Sequence, residues 1–184
     1  MLLPILAVLS ASAAAGMRIA LPLLVIGLLG GDLWGNVPLL SQLHPQILLG
    51  ILTSWSLFEL FGSKKLLSLR ILQIIELVLS PLVGALMGMT VSKITNFTIE
   101  PMWLMTLVGG LLALVLKLVQ VGWFFRLRGL PIWLVLLEDS LCVILVLFAF
   151  NAPEEGGLIA MLLLWLAIRS STEWRRWYRV KKTV

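Results

Sequence analysis

The chain has 184 residues, of which 60% are hydrophobic and 12% charged, with a net charge of +5 and a mean hydropathy of +1.07. These values exclude an ordinary soluble domain and indicate an integral membrane protein. One cysteine and one histidine are too few for a multi-ligand metal site or an internal disulfide, so no metal is expected.

Six apolar segments lie between charged or Pro/Gly-rich breaks, at about residues 4–30, 46–62, 70–93, 102–123, 131–150 and 156–169. The apolar segments are continuous and lack the alternation of apolar and polar residues that barrel strands show. They therefore predict an all-α six-transmembrane-helix bundle. Residues 1–184 then form a single transmembrane domain. The sixth segment is short enough for a re-entrant helix to be the alternative. A cleaved signal is the alternative for the first segment, but no basic residue precedes its apolar run, which favours a retained helix.

Basic residues gather in alternate breaks between the segments. If all six segments cross and the N terminus is cytoplasmic, eleven of the fourteen basic residues lie on the inner side. This asymmetry predicts six crossings with both termini inside, and it makes the net charge a signal of orientation and not of nucleic-acid binding. The inner residues are Lys64, Lys65, Arg70, Arg126, Arg128, Arg169, Arg175, Arg176, Arg179, Lys181 and Lys182.

Small residues recur every four positions on three segments, a spacing that lets helices approach closely. Packing inside one bundle is the simpler interpretation, and a homodimer through Gly84 and Gly88 is the alternative. Pro22 and Pro81 also lie inside predicted helices, so we expect a kink or an opened turn near each. The stripes contain Ser12, Gly16 and Ala20 in the first segment, Ser80, Gly84, Gly88 and Ser92 in the third, and Gly109 and Ala113 in the fourth.

Six ionisable residues lie within the apolar segments, where charges are costly and must be paired, hydrated or used. Counting about 1.5 Å per residue from the basic breaks places three of them about 9 to 15 Å from the inner surface, in one layer. Two positive and four negative groups cannot balance, so one or two carboxyls are expected to be protonated, wetted or occupied by a cation. The six residues are Arg18, Glu59, Glu76, Lys117, Glu138 and Asp139.

Two interpretations of this layer stay open. The charges either form ion pairs that fix helix order, as in a non-catalytic scaffold or assembly factor, or handle a small cation or a proton in transport. No Ser/His/Asp set, phosphate-binding loop or metalloprotease motif occurs in the sequence, so neither enzyme activity nor a cofactor is expected.

The two halves of the chain, residues 1–95 and 101–170, offer three helices each. The first helix of each half carries a cation and the second a glutamate, which is the arrangement expected of inverted repeats in a transporter. The predicted pairs are Arg18 with Glu138 and Lys117 with Glu59. A chance division into three and three is the alternative.

The C-terminal tail, residues 169–184, alternates basic residues with Trp174, Trp177 and Tyr178. Aromatic rings beside cations are typical of an anchor at the inner membrane interface, so the lipid bilayer is the expected partner. Docking to a larger membrane complex is the alternative.

An ordered set of short motifs runs along the chain: Ala15-Gly16-Met17-Arg18, His44-Pro45, Phe58-Glu59, Pro81 with Gly84-Ala85, Gly109-Gly110 with Ala113 and Lys117, and Glu138-Asp139. This set resembles the DUF4126 family of small multi-pass membrane proteins from bacteria and cyanobacteria, which is known only as a domain of unknown function. The resemblance covers about residues 11 to 170. It implies a location in the bacterial plasma (inner) membrane or the thylakoid membrane, and it brings no established activity.

Overall fold

The computed structural model describes residues 2–29, 42, 44–62, 66–94, 102–127 and 132–181, with side chains described at 2–29, 42, 44–59, 72–93, 103–123 and 133–171. These residues contain seven helices and no strand, which confirms the all-α class. The helices are α1 Leu2–Met17, α2 Ala20–Leu29, α3 Pro45–Gly62, α4 Leu66–Ile94, α5 Met102–Leu127, α6 Ile132–Asn151 and α7 Pro153–Lys181.

The first predicted segment is two helices and not one, so six predicted segments become seven helices. The backbone N–H of Arg18 still bonds to the carbonyl of Ala14 at 3.1 Å, and the helix ends there. Pro22 has no N–H to offer the Arg18 carbonyl, and its ring would clash with that carbonyl in a continuous helix. The chain therefore breaks at residues 18 and 19 and begins α2 at Ala20. Pro81, in contrast, lies inside the uninterrupted helix α4.

Helix α1 is the centre of the bundle and packs against α4, α5, α6 and α7. Its second half is fully buried because the sequence SASAAAG presents small side chains on every face. A helix that is narrow all round lets several neighbours approach its backbone at once. Helix α2 packs on α3 and α6, and so connects α3 to the rest of the bundle.

The glycines of the predicted stripes lie where α1, α4 and α5 meet. A Cβ atom on Gly84 would lie 2.7 Å from the carbonyl oxygen of Gly109, and one on Gly88 would lie 2.8 Å from a backbone oxygen of α5. A Cβ on Gly16 would lie 2.9 Å from the Cα of Ala113. Such distances leave no room for a side chain, so these positions require glycine for close helix packing within the chain.

Small polar side chains join the buried helices through backbone carbonyls. Each bond satisfies a hydroxyl or thiol that would otherwise be unpaired in an apolar interior. The bonds run from Ser10 Oγ to Leu145 O at 2.6 Å, Ser12 Oγ to Gly84 O at 3.3 Å, Ser80 Oγ to Ala113 O at 3.1 Å and Cys142 Sγ to Ala14 O at 3.5 Å.

The outside of the bundle is apolar, as a surface that faces lipid requires. Trp103, Trp133 and Leu158 are each more than 60% exposed. Three stretches of the described residues are long and apolar enough to cross a membrane, namely Leu72–Lys93, Trp103–Trp123 and Trp133–Asn151. These observations support a multi-pass membrane protein.

Helix α7 is much longer than the predicted sixth segment, because it begins at Pro153 and continues through the basic tail to Lys181. The tail is therefore helical as far as residue 181. Its side chains from residue 172 onward lie outside the described residues, as do the breaks that carry Lys64, Lys65 and Arg128.

Candidate functional site

Arg18 lies at the break between α1 and α2 and is 7% exposed. Its Nε atom donates to Asp139 Oδ1 of α6 at 2.6 Å, and its Nη1 atom lies 3.7 Å from Glu59 Oε2 of α3. Because Arg18 is the first residue beyond the central helix, its side chain reaches two helices on that side of the bundle. The guanidinium therefore holds α3 and α6 together at the break.

Glu59 has a second partner on its own helix. Trp55 Nε1 donates to Glu59 Oε1 at 2.7 Å, across one helical turn. Each oxygen of this buried carboxylate thus faces a donor, one from indole and one from guanidinium. The sequence analysis missed Trp55, although its spacing of four residues from Glu59 places both side chains on one helix face.

Lys117 of α5 is 4% exposed and forms a salt bridge with Glu76 Oε2 of α4. Its Nζ atom also donates to the carbonyl oxygen of Met17 at 3.1 Å. Met17 is the last residue of α1, where a carbonyl has no partner within the helix. An ammonium group at this end also interacts favourably with the helix dipole.

Glu138 of α6 is half-buried and accepts a hydrogen bond from Gln120 Nε2 of α5 at 2.7 Å. Both residues border a partly open, otherwise apolar cavity of about 190 Å³ between α5, α6 and α7. Gln120 lies one turn beyond Lys117 on the same helix. This bond connects Glu138 to the Lys117 side of the layer.

The structure brings the six predicted residues to the end of α1, where Glu138 interacts electrostatically with Arg18, but the salt bridges differ from the predicted pairs. Lys117 bonds to Glu76 and not to Glu59, which lies against Arg18. The short bond of Arg18 goes to Asp139, the neighbour of the predicted Glu138. The six groups therefore form one connected layer, in which Arg18 has salt bridges to Asp139 and Glu59, Lys117 has one to Glu76, and Glu138 interacts with both cations.

Three buried side-chain oxygens among the described residues have no hydrogen-bond partner: Gln73 Oε1, Glu76 Oε1 and Gln120 Oε1. An unpaired oxygen in an apolar interior is costly, so a feature of this kind needs a physical reason. All three belong to α4 and α5, on the Lys117 side of the layer. Within the described ranges, no group of three or more His, Cys, Asp or Glu side chains could hold a metal ion.

Apolar outer faces, candidate spans and a charged interior together define a helical multi-pass membrane protein with a buried polar layer. The family model for the Domain of unknown function (DUF4126) matches residues 5–173, so the chain belongs to this family. The resemblance noted in the sequence is thereby confirmed. Neither a curated protein nor a solved structure matches the chain.

Proposed function

We propose that this protein mediates transport or permeation of a small cation or a proton-coupled solute through the buried charged layer. The observation that carries the proposal is the excess of negative groups. Arg18 and Lys117 face four carboxyl groups at the end of α1, and both cations already have carboxylate partners. A cation or proton bound from solution would balance this layer. Carboxyl groups that bind and release such an ion can pass it across the membrane.

The broken helix supports the same function. Many transporters build their sites from discontinuous helices, because the ends of the half-helices supply backbone groups to ions and substrates at membrane depth. Here α1 ends and α2 begins within the charged layer, and the Met17 carbonyl already accepts a bond from an ammonium group. The break thus supplies polar backbone groups where a charged substrate needs them.

The proposal includes a topology. All six sequence segments cross a bacterial plasma membrane or a thylakoid membrane, with both termini inside, and residues 1–95 and 101–170 form inverted halves. The charge asymmetry of the breaks supports the six crossings and the inner position of both termini. Labelling of single cysteines introduced at Lys64 and Thr98, from opposite sides of the membrane, tests the orientation. Equal labelling of both positions from one side would contradict it.

Flux in proteoliposomes tests the function. Wild-type protein should move at least one ion in a panel of protons, Na⁺, K⁺ and small anions. The double variant Lys117→Met with Glu76→Gln should fold and lose flux, because it removes an ionisable carboxyl group from the layer without leaving a buried charge unpaired. The matched control is Lys93→Met with Glu154→Gln, which removes two exposed charges and should keep wild-type flux. Flux that survives in the first variant would refute the proposal.

A non-catalytic scaffold is the second candidate, and the tight pairing of both cations favours it. Arg18 joins α3 to α6, and Lys117 joins α4 to the end of α1, as in a layer whose role is to fix helix order. If the protein is a scaffold, wild-type protein should show no flux of any ion in the panel. It also predicts that the double neutral variant retains its membrane partners, such as a second copy of this chain or a larger complex.

A further inference from the structure

We propose that Gln73, Glu76 and Gln120 form a binding site for one small monovalent cation between α4 and α5. This inference rests on the proposed function, and it names the place where the transported cation is held. It follows from the register of the two helices, from three unpaired oxygens and from the local charge.

The register of α4 and α5 places the three residues at neighbouring heights along the two helices. The two helices are antiparallel neighbours. Each of four successive contacts lies four residues earlier on α4 and four residues later on α5. One further turn from the Lys117 salt bridge brings Gln73 level with Gln120. The four contacts are Gly88 with Met105, Gly84 with Gly109, Ser80 with Ala113 and Glu76 with Lys117.

Burial makes the unpaired oxygens significant. Gln73 is 9% exposed and Glu76 is 3% exposed, and the Oε1 atom of each has no hydrogen-bond partner. The orientation of the Gln120 amide is fixed, since its nitrogen must face the Glu138 carboxylate to donate a bond. The Gln120 Oε1 atom therefore points away from Glu138 and has no hydrogen-bond partner.

The number of hydrogen-bond donors distinguishes a cation from a single water molecule or a single proton as the ligand of these oxygens. A water molecule has two O–H donors and can satisfy two of the three oxygens. A proton on Glu76 would satisfy that oxygen and one amide, and would leave the third unpaired. Carboxylate and amide oxygens are the ligands that hard cations prefer, and one cation can contact all three.

The local charge selects a single positive charge. Lys117 is the salt-bridge partner of Glu76, and Glu138, which is bound to Gln120, interacts with the Arg18 guanidinium as well as with Lys117. With two cations and four carboxyl groups the layer has an excess of negative charge, which favours an added monovalent ion, whereas the adjacent Lys117 ammonium would repel a divalent ion more strongly. Na⁺, K⁺ and hydronium share the required chemistry, and the experiment separates them.

Thermal unfolding of the purified protein in detergent tests the site without any flux measurement. Chloride salts of Na⁺, K⁺ and the bulky cation N-methyl-D-glucamine are compared at equal ionic strength. A bound cation at tenfold its dissociation constant should raise the Tm by about 3 to 6 °C above the value in N-methyl-D-glucamine. If hydronium is the ligand, the rise appears instead on lowering the pH in N-methyl-D-glucamine.

Gln73→Met removes one oxygen ligand and keeps the length of the side chain. We expect it to abolish the cation-dependent rise in Tm and to leave the Tm in N-methyl-D-glucamine equal or higher, because an unpaired buried oxygen has been removed. Gln46→Met, at an exposed glutamine of α3, is the matched control and should keep the full rise.

Two results would overturn the site: wild-type protein with the same Tm in every salt and at every pH, or a Gln73→Met variant that keeps the rise. Flux observed together with either result would leave the proposed function standing. A cation-dependent rise without flux would support the site and remove the proposed function.

Discussion

The salt bridge between Lys117 and Glu76 gives the sharpest test of the buried layer. Both residues are almost fully buried, at 4% and 3% exposed. Replacing Lys117 with Met removes the ammonium and leaves the Glu76 carboxylate without a donor on either oxygen. Loss of one partner from a buried ion pair costs about 3 to 5 kcal/mol. For a chain of this size, that corresponds to a fall in Tm of about 6 to 20 °C.

Replacing both partners should restore most of the lost stability. Lys117→Met with Glu76→Leu exchanges a buried ion pair for apolar side chains, which is often neutral or stabilising. Unfolding in detergent, followed by circular dichroism, measures the wild type, both single variants and the double variant as one thermodynamic cycle. The coupling free energy should be at least about 3 kcal/mol, at or above the upper end of the range for residues in direct contact, because the double variant regains most of what Lys117→Met loses.

Lys93→Met is the control for this cycle, because Lys93 lies on the same helix as Glu76 and is exposed. It should leave the Tm within about 1 °C of wild type, as surface substitutions usually do. The reasoning is refuted if Lys117→Met is no worse than this control. It is also refuted if the effects of the two single variants simply add in the double variant.

Three further predictions concern packing, hydrogen bonding and the helix break. Gly84→Ala should lower stability by about 1 to 3 kcal/mol, because its Cβ would meet the backbone of α5. Gly50→Ala, where a Cβ has nothing within 4 Å, is the control and should be neutral or stabilising. Thermal unfolding compares the two variants. Trp55→Phe removes the indole donor to Glu59 and should cost about 1.5 to 3 kcal/mol in the same assay. Pro22→Ala restores the missing N–H, so the distance between spin labels on the outer ends of α1 and α2 should shift towards that of one straight helix, against the contacts of Lys117 and Arg18 that hold the break open.

The sequence revealed the members of the layer, since a charged residue within an apolar segment is visible from composition alone. It did not reveal the partners. Glu138 and Asp139 are adjacent, and which of them faces Arg18 depends on the rotation of α6 about its axis. That rotation is set by contacts such as Ser10 with the Leu145 carbonyl, which join residues far apart in the chain.

The break after α1 was only partly predictable. Pro22 signalled a disturbance, but a proline can also be tolerated inside a helix, as Pro81 is in α4. The difference lies in the surroundings. At the end of α1, Lys117 bonds to the Met17 carbonyl, and Arg18 leaves the helix to reach Asp139. These tertiary contacts stabilise the open ends, and no local pattern in the sequence reports them.

The position of the break explains why the cations and the carboxyl groups of the layer have different roles. Arg18 and Lys117 lie at the C-terminal end of the central helix, where free carbonyl groups and the helix dipole favour positive charge. The end of α1 therefore stabilises both cations, although Lys117 itself belongs to α5. The carboxyl groups come from the surrounding helices α3, α4 and α6 and outnumber the cations. The cations thus stabilise the end of the central helix, and under the proposed function the excess of carboxyl groups is the part of the layer that binds and releases charge.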